Sequence, residues 1–269
     1  MNAFSELEED ATQESSAQAP LKRDLVAGLE KGLAVIRAFD QDHARLTISQ
    51  VAERTQLTRA AARRYLLTLM HLGFVSQDRK MFVLTPKVLL LGQSYLHSAR
   101  LPRIVEPELS KLALALKEAS ATCVLEGDDV VVVASANAGR VPVPNLQPGK
   151  RVPAHCTPSG RVLLAALPAE QSDAWLATQD LNAYTPHTIT QPERLRAEIA
   201  RVRVQGYACT DQEFTLGMRT IAVPLKNHRG DVVAALSLCV QSAHMSMEEM
   251  MEQCLPPLLD TQAHLKMLL

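Results

Sequence analysis

The sequence has few of the features that mark secreted or membrane-inserted proteins. Aromatic residues make up 4% of its 269 residues, with a single tryptophan, so the core must be built mainly from aliphatic side chains. No apolar run reaches the roughly 20 residues that a membrane-spanning helix needs. Residues 1–22 are acidic and polar, unlike a secretory signal. These absences predict a cytoplasmic protein with no membrane partner.

The five cysteines follow no metal-binding or disulfide pattern. Their number is odd and no Cys-x-x-Cys pair occurs, whereas zinc sites and disulfide frameworks use regularly spaced cysteines. The sequence also lacks a phosphate-binding glycine loop, a Gly-x-Gly-x-x-Gly turn and a His-Glu-x-x-His helix. We therefore expect free thiols, no bound metal and no cofactor.

The net charge of −1 conceals an uneven distribution along the chain. Residues 1–20 carry five acidic groups and no basic ones, and residues 21–86 carry eleven basic groups against six acidic ones. Because residues 1–22 also have little apolar surface to bury, we predict a disordered acidic tail there. The basic segment that follows is typical of a module that binds polyanions.

The pattern over residues 23–85 predicts a winged helix-turn-helix. Thr47 and Thr58 are each placed to cap a helix, and a short connector separates the two helices. Residues 74–86 predict a β-hairpin directly after the second helix, where a wing lies. We therefore interpret this segment as a DNA-binding domain.

The start of the second helix is the part that reads bases in the major groove. Arginine there can bind guanine bidentately, which contributes about 1–3 kcal/mol of discrimination. The wing tip and the start of the preceding helix are suited to the phosphate backbone. The alternative is that these arginines form only a solvated helix face. The predicted DNA contacts are Thr47, Ser49, Thr58, Arg59, Ala60, Arg63, Arg64, Arg79 and Lys80.

The remaining chain predicts a linker helix and a larger domain. Residues 86–100 are too apolar for a solvated linker, so we expect this helix to pack on a partner chain or on its own domain. Residues 101–269 alternate helices with strands grouped in hairpins, which predicts an α+β domain with a largely antiparallel sheet flanked by helices. We expect a helix over 104–119 and a closing helix over 247–268 that Pro256-Pro257 kinks or splits.

Several separated stretches resemble the IclR family of transcription regulators. They are GLEKGLAVIRAFD (28–40), TISQVAERTQLTRAAARRYLLTLMHLGFV (47–75), PAHCTPSGRVLLA (153–165), GYACTDQEFTLGMRTIAVPL (206–225) and GDVVAALSL (230–238). The amino-acid sequence of these stretches is similar to that of the branch that regulates protocatechuate and 4-hydroxybenzoate catabolism. The resemblance implies a GAF-like C-terminal domain with a pocket for a small carboxylate effector. It also implies homodimers, or dimers of dimers, on palindromic operators in double-stranded DNA.

The resemblance implies pocket positions at Val141, at the Pro158-Ser159 turn and at four strand residues. Pro158 departs from the small residues that the family often has at this turn, and Cys239 replaces a second serine. The four strand positions are Asp211, Thr220, Ser237 and Cys239.

The residue types themselves add three candidates to the effector site. Thr157 lies at a predicted helix N-terminus, which attracts anions, and His155 and Arg219 can neutralise a carboxylate. Arg219 can instead pair with Asp211 or Glu213, and His155 can instead hold the loop over 139–153. Ser237 and Cys239 alternate along a strand, so the face that they share can also be core.

Two other functions fit parts of the sequence. Cys156, His155 and Asp211 are residue types of a nucleophilic catalytic set, but neighbours on an extended segment point to opposite sides, so we expect no enzymatic activity. A DNA-binding protein without an effector is the second alternative. A C-terminal cavity lined by serine, threonine and arginine favours sensing, and a filled apolar core argues against it.

Overall fold

The computed structural model describes residues 22–40, 42–138 and 143–269. The predicted acidic tail falls almost entirely outside these residues, and Val141 lies outside them as well. The chain forms two compact units, one that ends at Leu91 and one that runs from Gly92 to Leu269. Within the described residues, no helix combines the length and the apolarity needed to cross a membrane.

The N-terminal unit is a three-helix winged helix-turn-helix, as predicted. Leu46 pairs with Phe82 through two backbone hydrogen bonds, of 3.0 and 2.7 Å, and so forms a single β-bridge with the second strand of the wing. Both residues are buried in the core of this unit, together with one face of each helix. The elements are α1 (Ala27–Arg37), α2 (Ile48–Thr55), α3 (Arg59–His71), β1 (Val75–Asp78) and β2 (Met81–Leu84).

Both predicted threonine caps are confirmed. The Thr47 hydroxyl accepts from the backbone N–H of Gln50 at 3.3 Å, and the Gln50 side chain accepts from the Thr47 backbone N–H at 2.9 Å, which completes a capping box. Thr58 accepts from the backbone N–H of Ala61 at 3.2 Å. Gly73, at φ +81°, then turns the chain from α3 into the wing, a conformation that favours glycine.

The predicted linker helix is present as a 3-10 turn, Pro86–Val88, followed by α4 (Leu89–Ser98). Its apolar side chains are exposed, with Leu89, Leu90, Leu91 and Tyr95 each between 47% and 64% accessible. Exposed apolar clusters are typical of surfaces that pack on another chain, and the packing of this helix on a partner stays a prediction.

The C-terminal unit is an antiparallel six-stranded sheet between two layers of helices, which confirms the α+β prediction. The strand order is β5-β4-β3-β8-β7-β6. The strands are β3 (Ala119–Glu126), β4 (Asp129–Asn137), β5 (Arg151–Pro153), β6 (Ala208–Asp211), β7 (Met218–Lys226) and β8 (Val232–Gln241).

Each face of this sheet has its own apolar core. Two helices cover one face and three cover the other, and alternate residues of β7 and β8 contribute to the two cores in turn. The first pair is α5 (Arg100–Leu116) and α9 (Met247–Leu268), and the second set is α6 (Pro158–Ala166), α7 (Ala169–Ala177) and α8 (Pro192–Gln205).

One helix prediction needs correction, and for another the structure excludes one of two alternatives. The helix expected over 104–119 runs from Arg100 to Leu116. It includes Pro102 because this residue lies in the first turn, where its missing N–H costs no helical hydrogen bond, and it ends before Ala119, which begins β3. The closing helix α9 is continuous through Pro256-Pro257, which excludes the predicted split and leaves the kink as a prediction. Cys254, Leu258 and Leu265 of α9 are fully buried against the sheet, and this packing outweighs the hydrogen bonds that the prolines remove.

Candidate DNA-binding face and effector cavity

The outer face of α3 presents three free arginines. Ala62, Leu66 and Leu69 of this helix face the core, so Arg59, Arg63 and Arg64 are exposed on its other side together with Ala60. In the described part of the chain, none of the three guanidinium groups makes an ion pair or a side-chain hydrogen bond. Free cations at the start of the second helix are what base and phosphate recognition needs.

The other two arginines near this helix are engaged within the unit. Arg45 pairs with Asp78 of the wing. Arg54 pairs with Asp40, and its Nε donates to the Ala38 carbonyl at 2.9 Å. Among the described residues of this unit, unpaired positive charge therefore remains on α3 and at the wing tip, and also at Lys31 and Arg37 of α1.

The wing tip carries Arg79 and Lys80 in its turn, with Arg79 at φ +57° and both side chains exposed. Ser49, in the first turn of α2, is also exposed. The hydroxyl of Thr47 is occupied by the capping box, in which it also donates to Gln50 Oε1 at 2.9 Å. Thr47 thus stabilises the start of α2, and Ser49 is exposed in the same turn.

A cavity of about 230 Å³ lies in the C-terminal unit, between the sheet and the start of α6. This volume is slightly below the usual range for small-molecule sites, about 300–1,000 Å³, and suits a compact ligand. Apolar side chains form most of its wall. They include Val130, Val132, Leu146, Val152, Phe214 and Met218.

A polar row crosses the floor of the cavity. Thr210 of β6 pairs directly with Thr220 of β7, and Thr220 pairs with Cys239 of β8. The Thr220 hydroxyl donates to Cys239 Sγ at 3.3 Å. Ser237 lies two residues from Cys239 on the same face and donates to the Ala121 carbonyl at 3.3 Å. The floor thus offers hydroxyl groups on three adjacent strands.

The first turn of α6 closes one end of the cavity. The Thr157 hydroxyl caps this helix by accepting from the Gly160 N–H at 3.3 Å, and Pro158 has no N–H to offer. The Ser159 N–H makes no hydrogen bond to any residue that the structure describes. Glycine is required at 160, since a Cβ there would overlap the backbone of Ala154. This close approach brings the positive end of the helix dipole to the cavity.

The structure brings six of the predicted effector residues to the cavity: Thr157, Pro158, Ser159, Thr220, Ser237 and Cys239. Asp211 and Arg219 do not line the cavity. Arg219 Nε donates to Asp211 Oδ1 at 2.9 Å, which confirms the predicted alternative that Arg219 pairs with an acidic residue. Arg219 Nη1 also donates to the carbonyls of Ser242 and Met245. Thr210, one residue before Asp211, takes the cavity position because neighbours on a strand point to opposite faces.

His155 is buried beside the cavity but is not among the described residues that line it. Its Nε2 lies 3.0 Å from the carbonyl oxygen of Asn182, in the segment after α7. The predicted role of His155 in holding the loop over 139–153 stays a prediction, since residues 139–142 lie outside the described residues. Burial disfavours the charged imidazolium and lowers the pKa of His155. The neutral ring is therefore a poor counter-ion for a carboxylate.

An ion pair that the sequence analysis did not identify lies at the edge of the cavity. Arg161 of α6 is buried and donates to both carboxylate oxygens of Glu213, with Nη1 to Oε1 at 2.8 Å. Glu213 lines the cavity, and Arg161 does not. The two residues are 52 positions apart, and an arginine inside an apolar helix run is the one sequence signal for such a pair.

The cavity thiols are not activated. Burial raises the pKa of Cys123 and Cys156 to about 12 and that of Cys239 to about 11. Because the thiolate is the nucleophile, thiols with such pKa values are inert at neutral pH. The described residues also contain no group of three or more histidine, cysteine or acidic side chains that could hold a metal ion.

Two family models match the chain. The model of the IclR helix-turn-helix domain matches residues 28–79, and the model of the bacterial transcriptional regulator IclR C-terminal domain matches residues 93–266. The first match covers nearly all of α1, together with α2, α3 and β1, and the second covers most of the unit that contains the cavity.

Individual proteins are similar over most of the chain. The Pca regulon regulatory protein of Pseudomonas putida is 41% identical over 88% of this chain and 81% of its own length. A solved structure from Rhodococcus sp. RHA1 is 42% identical, with a TM-score of 0.79 over 90% of this chain and 97% of that one.

The inducer-binding domain of a PobR double mutant from Acinetobacter, solved with 3-hydroxybenzoic acid, is 31% identical. Its TM-score is 0.61 over 64% of this chain and all of that domain. The predicted resemblance, including its aromatic-acid branch, is confirmed by these relatives. The chain therefore belongs to the IclR family of bacterial transcriptional regulators.

Proposed function

We propose that this regulator binds palindromic operator DNA through residues 23–85 and is controlled by a small aromatic carboxylate bound within residues 101–269. The observation that carries the proposal is the cavity between the sheet and α6, where an apolar wall meets a floor of hydroxyl groups. A filled apolar core would have favoured a regulator without an effector.

The shape and chemistry of the cavity support an aromatic acid in particular. A volume of about 230 Å³ leaves room for a single ring with small substituents. Valine, leucine, phenylalanine and sulphur-containing side chains suit the faces of such a ring. Relatives point the same way, since a PobR domain has been solved with 3-hydroxybenzoic acid.

The anionic group of the ligand requires donors, because no arginine, lysine or histidine is among the described residues that line the cavity. The Thr210 hydroxyl supplies a neutral donor. The hydroxyls of Thr220 and Ser237 can do the same if they turn away from their present acceptors, Cys239 Sγ and the Ala121 carbonyl. The Ser159 N–H and the positive end of the α6 dipole supply a favourable field. Hydrogen bonds to a charged acceptor are about twice as strong as neutral ones, so exchange of these two acceptors for the carboxylate of the ligand is favourable.

We propose that the protein works in the cytoplasm as a homodimer or a dimer of dimers, with the linker helix over 86–100 in the dimer interface. The exposed apolar residues of α4 support this assignment, and so do Leu29 and Leu33 of α1. A dimer places two recognition helices on a palindrome about 34–36 Å apart. An effector that binds two dimer arrangements with unequal affinity then changes operator affinity.

We also propose that the protein is not an enzyme. The raised pKa of Cys156 and the lowered pKa of His155 leave neither an activated nucleophile nor a charged partner for it. Cys156→Ser is therefore expected to leave operator binding largely intact.

A screen of aromatic and short-chain acids tests the proposal, read by melting temperature and by operator gel shift. A ligand at 100 times its Kd adds about 2.7 kcal/mol to the free energy of unfolding, which produces a clear thermal shift. We expect hydroxybenzoates and related acids to raise the melting temperature and to change operator affinity. Saturation of the cavity without any change in operator affinity would contradict the coupling. Absence of binding by every acid would contradict the effector class.

A further inference from the structure

Glu213 carries the one carboxyl group among the described residues that line the effector cavity. Glu213 is 8% exposed, and its partner Arg161 is 1% exposed. Since Arg161 does not line the cavity, a ligand meets the carboxylate and not the guanidinium. Glu198 lies 4.0 Å from the same guanidinium, so no surplus positive charge remains at this end of the cavity.

The hydrogen bonds of Glu213 leave one acceptor position open. Arg161 donates to both oxygens, and the backbone N–H of Ile189 donates to Oε2 at 3.3 Å. An ionised carboxylate has about four acceptor positions and no donor. Three of these are filled, and the remaining position belongs to Oε1.

The backbone around Glu213 holds its side chain in place. The Thr188 hydroxyl donates to the Glu213 carbonyl at 2.5 Å, and the Thr185 hydroxyl donates to the Gln212 carbonyl beside it at 2.7 Å. Arg161 is fixed in turn, because its Nε donates to the His155 carbonyl at 3.1 Å. A buried acceptor held in one orientation is a preorganised recognition group.

We propose that Glu213 is a specificity-determining residue that selects effectors carrying a hydrogen-bond donor, such as a ring hydroxyl, away from their carboxylate. This inference rests on the proposed function. A ligand hydroxyl can donate to the open position of Oε1, whereas the ligand carboxylate is repelled by Glu213 and is directed to the hydroxyls of Thr210, Thr220 and Ser237.

The expected preference is large enough to measure. A hydrogen bond to a charged group corresponds to about 10- to 100-fold in Kd. A site built around such a bond also rejects an analogue that lacks the donor, because its own acceptor is then desolvated without a partner. A methoxy group has similar size to a hydroxyl but no donor, so it separates hydrogen bonding from volume.

The experiment is calorimetric titration of the full chain with 4-hydroxybenzoate, 3-hydroxybenzoate, 4-methoxybenzoate and benzoate. We expect at least one hydroxybenzoate to bind about 10- to 100-fold more tightly than benzoate, and 4-methoxybenzoate to bind no more tightly than benzoate. Equal affinities for benzoate and both hydroxybenzoates would overturn the role of Glu213 and leave the proposed function standing. Absence of binding by all four acids would overturn both.

A paired variant assigns the preference to Glu213. Glu213→Gln alone would leave Arg161 buried without its ionic partner, so Arg161→Met/Glu213→Leu removes both charges together. The ratio of hydroxybenzoate to benzoate affinity is expected to fall to within about threefold of unity, while benzoate binding persists. The matched control is Arg196→Met/Asp173→Asn, which removes a surface pair outside the cavity. An unchanged ratio in the folded cavity variant would overturn the proposal, and should that variant not fold, the methoxy comparison still decides it.

Discussion

The hydroxyl of Thr220 on β7 donates to Sγ of Cys239 on β8 at 3.3 Å, directly across the strand pair that forms the cavity floor. A thiol is a weak donor and a weak acceptor, so this row of polar groups ends in its weakest member. A substitution at Cys239 is therefore expected to change effector affinity while it leaves the volume of the cavity nearly unchanged.

We predict that Cys239→Ser tightens binding of an aromatic carboxylate by about two- to tenfold, because one neutral hydrogen bond contributes about 0.5–1.5 kcal/mol. Titration calorimetry with 4-hydroxybenzoate measures the change. Cys209→Ser is the matched control, since Cys209 contacts Met251 and lies outside the cavity. Weaker binding in Cys239→Ser, or an equal gain in Cys209→Ser, would contradict the assignment of Cys239 to the ligand.

The exposed cations of α3 and of the wing tip predict two different effects of substitution on DNA binding. Arg63→Ala is expected to weaken binding to the selected operator by about 1–3 kcal/mol and to weaken binding to random DNA much less. Lys80→Ala is expected to weaken both equally and to reduce the salt dependence by about one phosphate contact. Fluorescence anisotropy at several salt concentrations measures both effects.

The matched control for these variants is Arg201→Ala, on α8, whose side chain pairs with Glu198. It is expected to leave DNA binding unchanged. An equal loss on operator and random DNA in Arg63→Ala would reassign Arg63 to a phosphate contact.

The local signals in the sequence were sufficient for the N-terminal unit. Thr47 and Thr58 lie directly before apolar helix patterns, and Arg79-Lys80 separates two short strand patterns, so caps and wing were predicted from a few adjacent residues each. The order of helices and hairpins likewise predicted the antiparallel sheet, because hairpin partners are close in sequence.

Features set by contacts between distant residues were not predicted. Whether Thr210 or Asp211 faces the cavity depends on how β6 is registered against β7, and a shift of one residue reverses the two faces. The Arg161–Glu213 pair joins α6 to the segment before β7. The continuity of α9 through Pro256-Pro257 depends on the sheet beneath it, which a local rule for proline does not include.

Gly160 provides a test of the close approach between α6 and the segment that precedes it. A Cβ at this position would overlap the carbonyl oxygen and Cα of Ala154, and backbone atoms cannot rotate away as a side chain can. Gly160→Ala is therefore expected to lower the free energy of unfolding by about 3 kcal/mol or more. Gly92→Ala, on α4, is the control, because a Cβ there meets no atom within 4 Å, and it is expected to be neutral or stabilising by up to about 1 kcal/mol. Urea unfolding of both variants measures the difference, and similar stabilities would contradict the close approach.

His155 predicts an acid-sensitive stability. Burial lowers its pKa below the ordinary value of 6.5, so in the unfolded chain the imidazole binds a proton at a higher pH than in the folded protein. The free energy of unfolding is therefore expected to fall as the pH decreases through 6.5, and to stop falling once the folded imidazole is also protonated. The slope from this single group is at most about 1.4 kcal/mol per pH unit. Urea unfolding between pH 7.5 and 5 is expected to give a shallower dependence in His155→Gln, whereas His228→Gln, at an exposed position, is expected to follow the wild type. Identical slopes in all three proteins would show that His155 takes up its proton equally well in the folded and unfolded states.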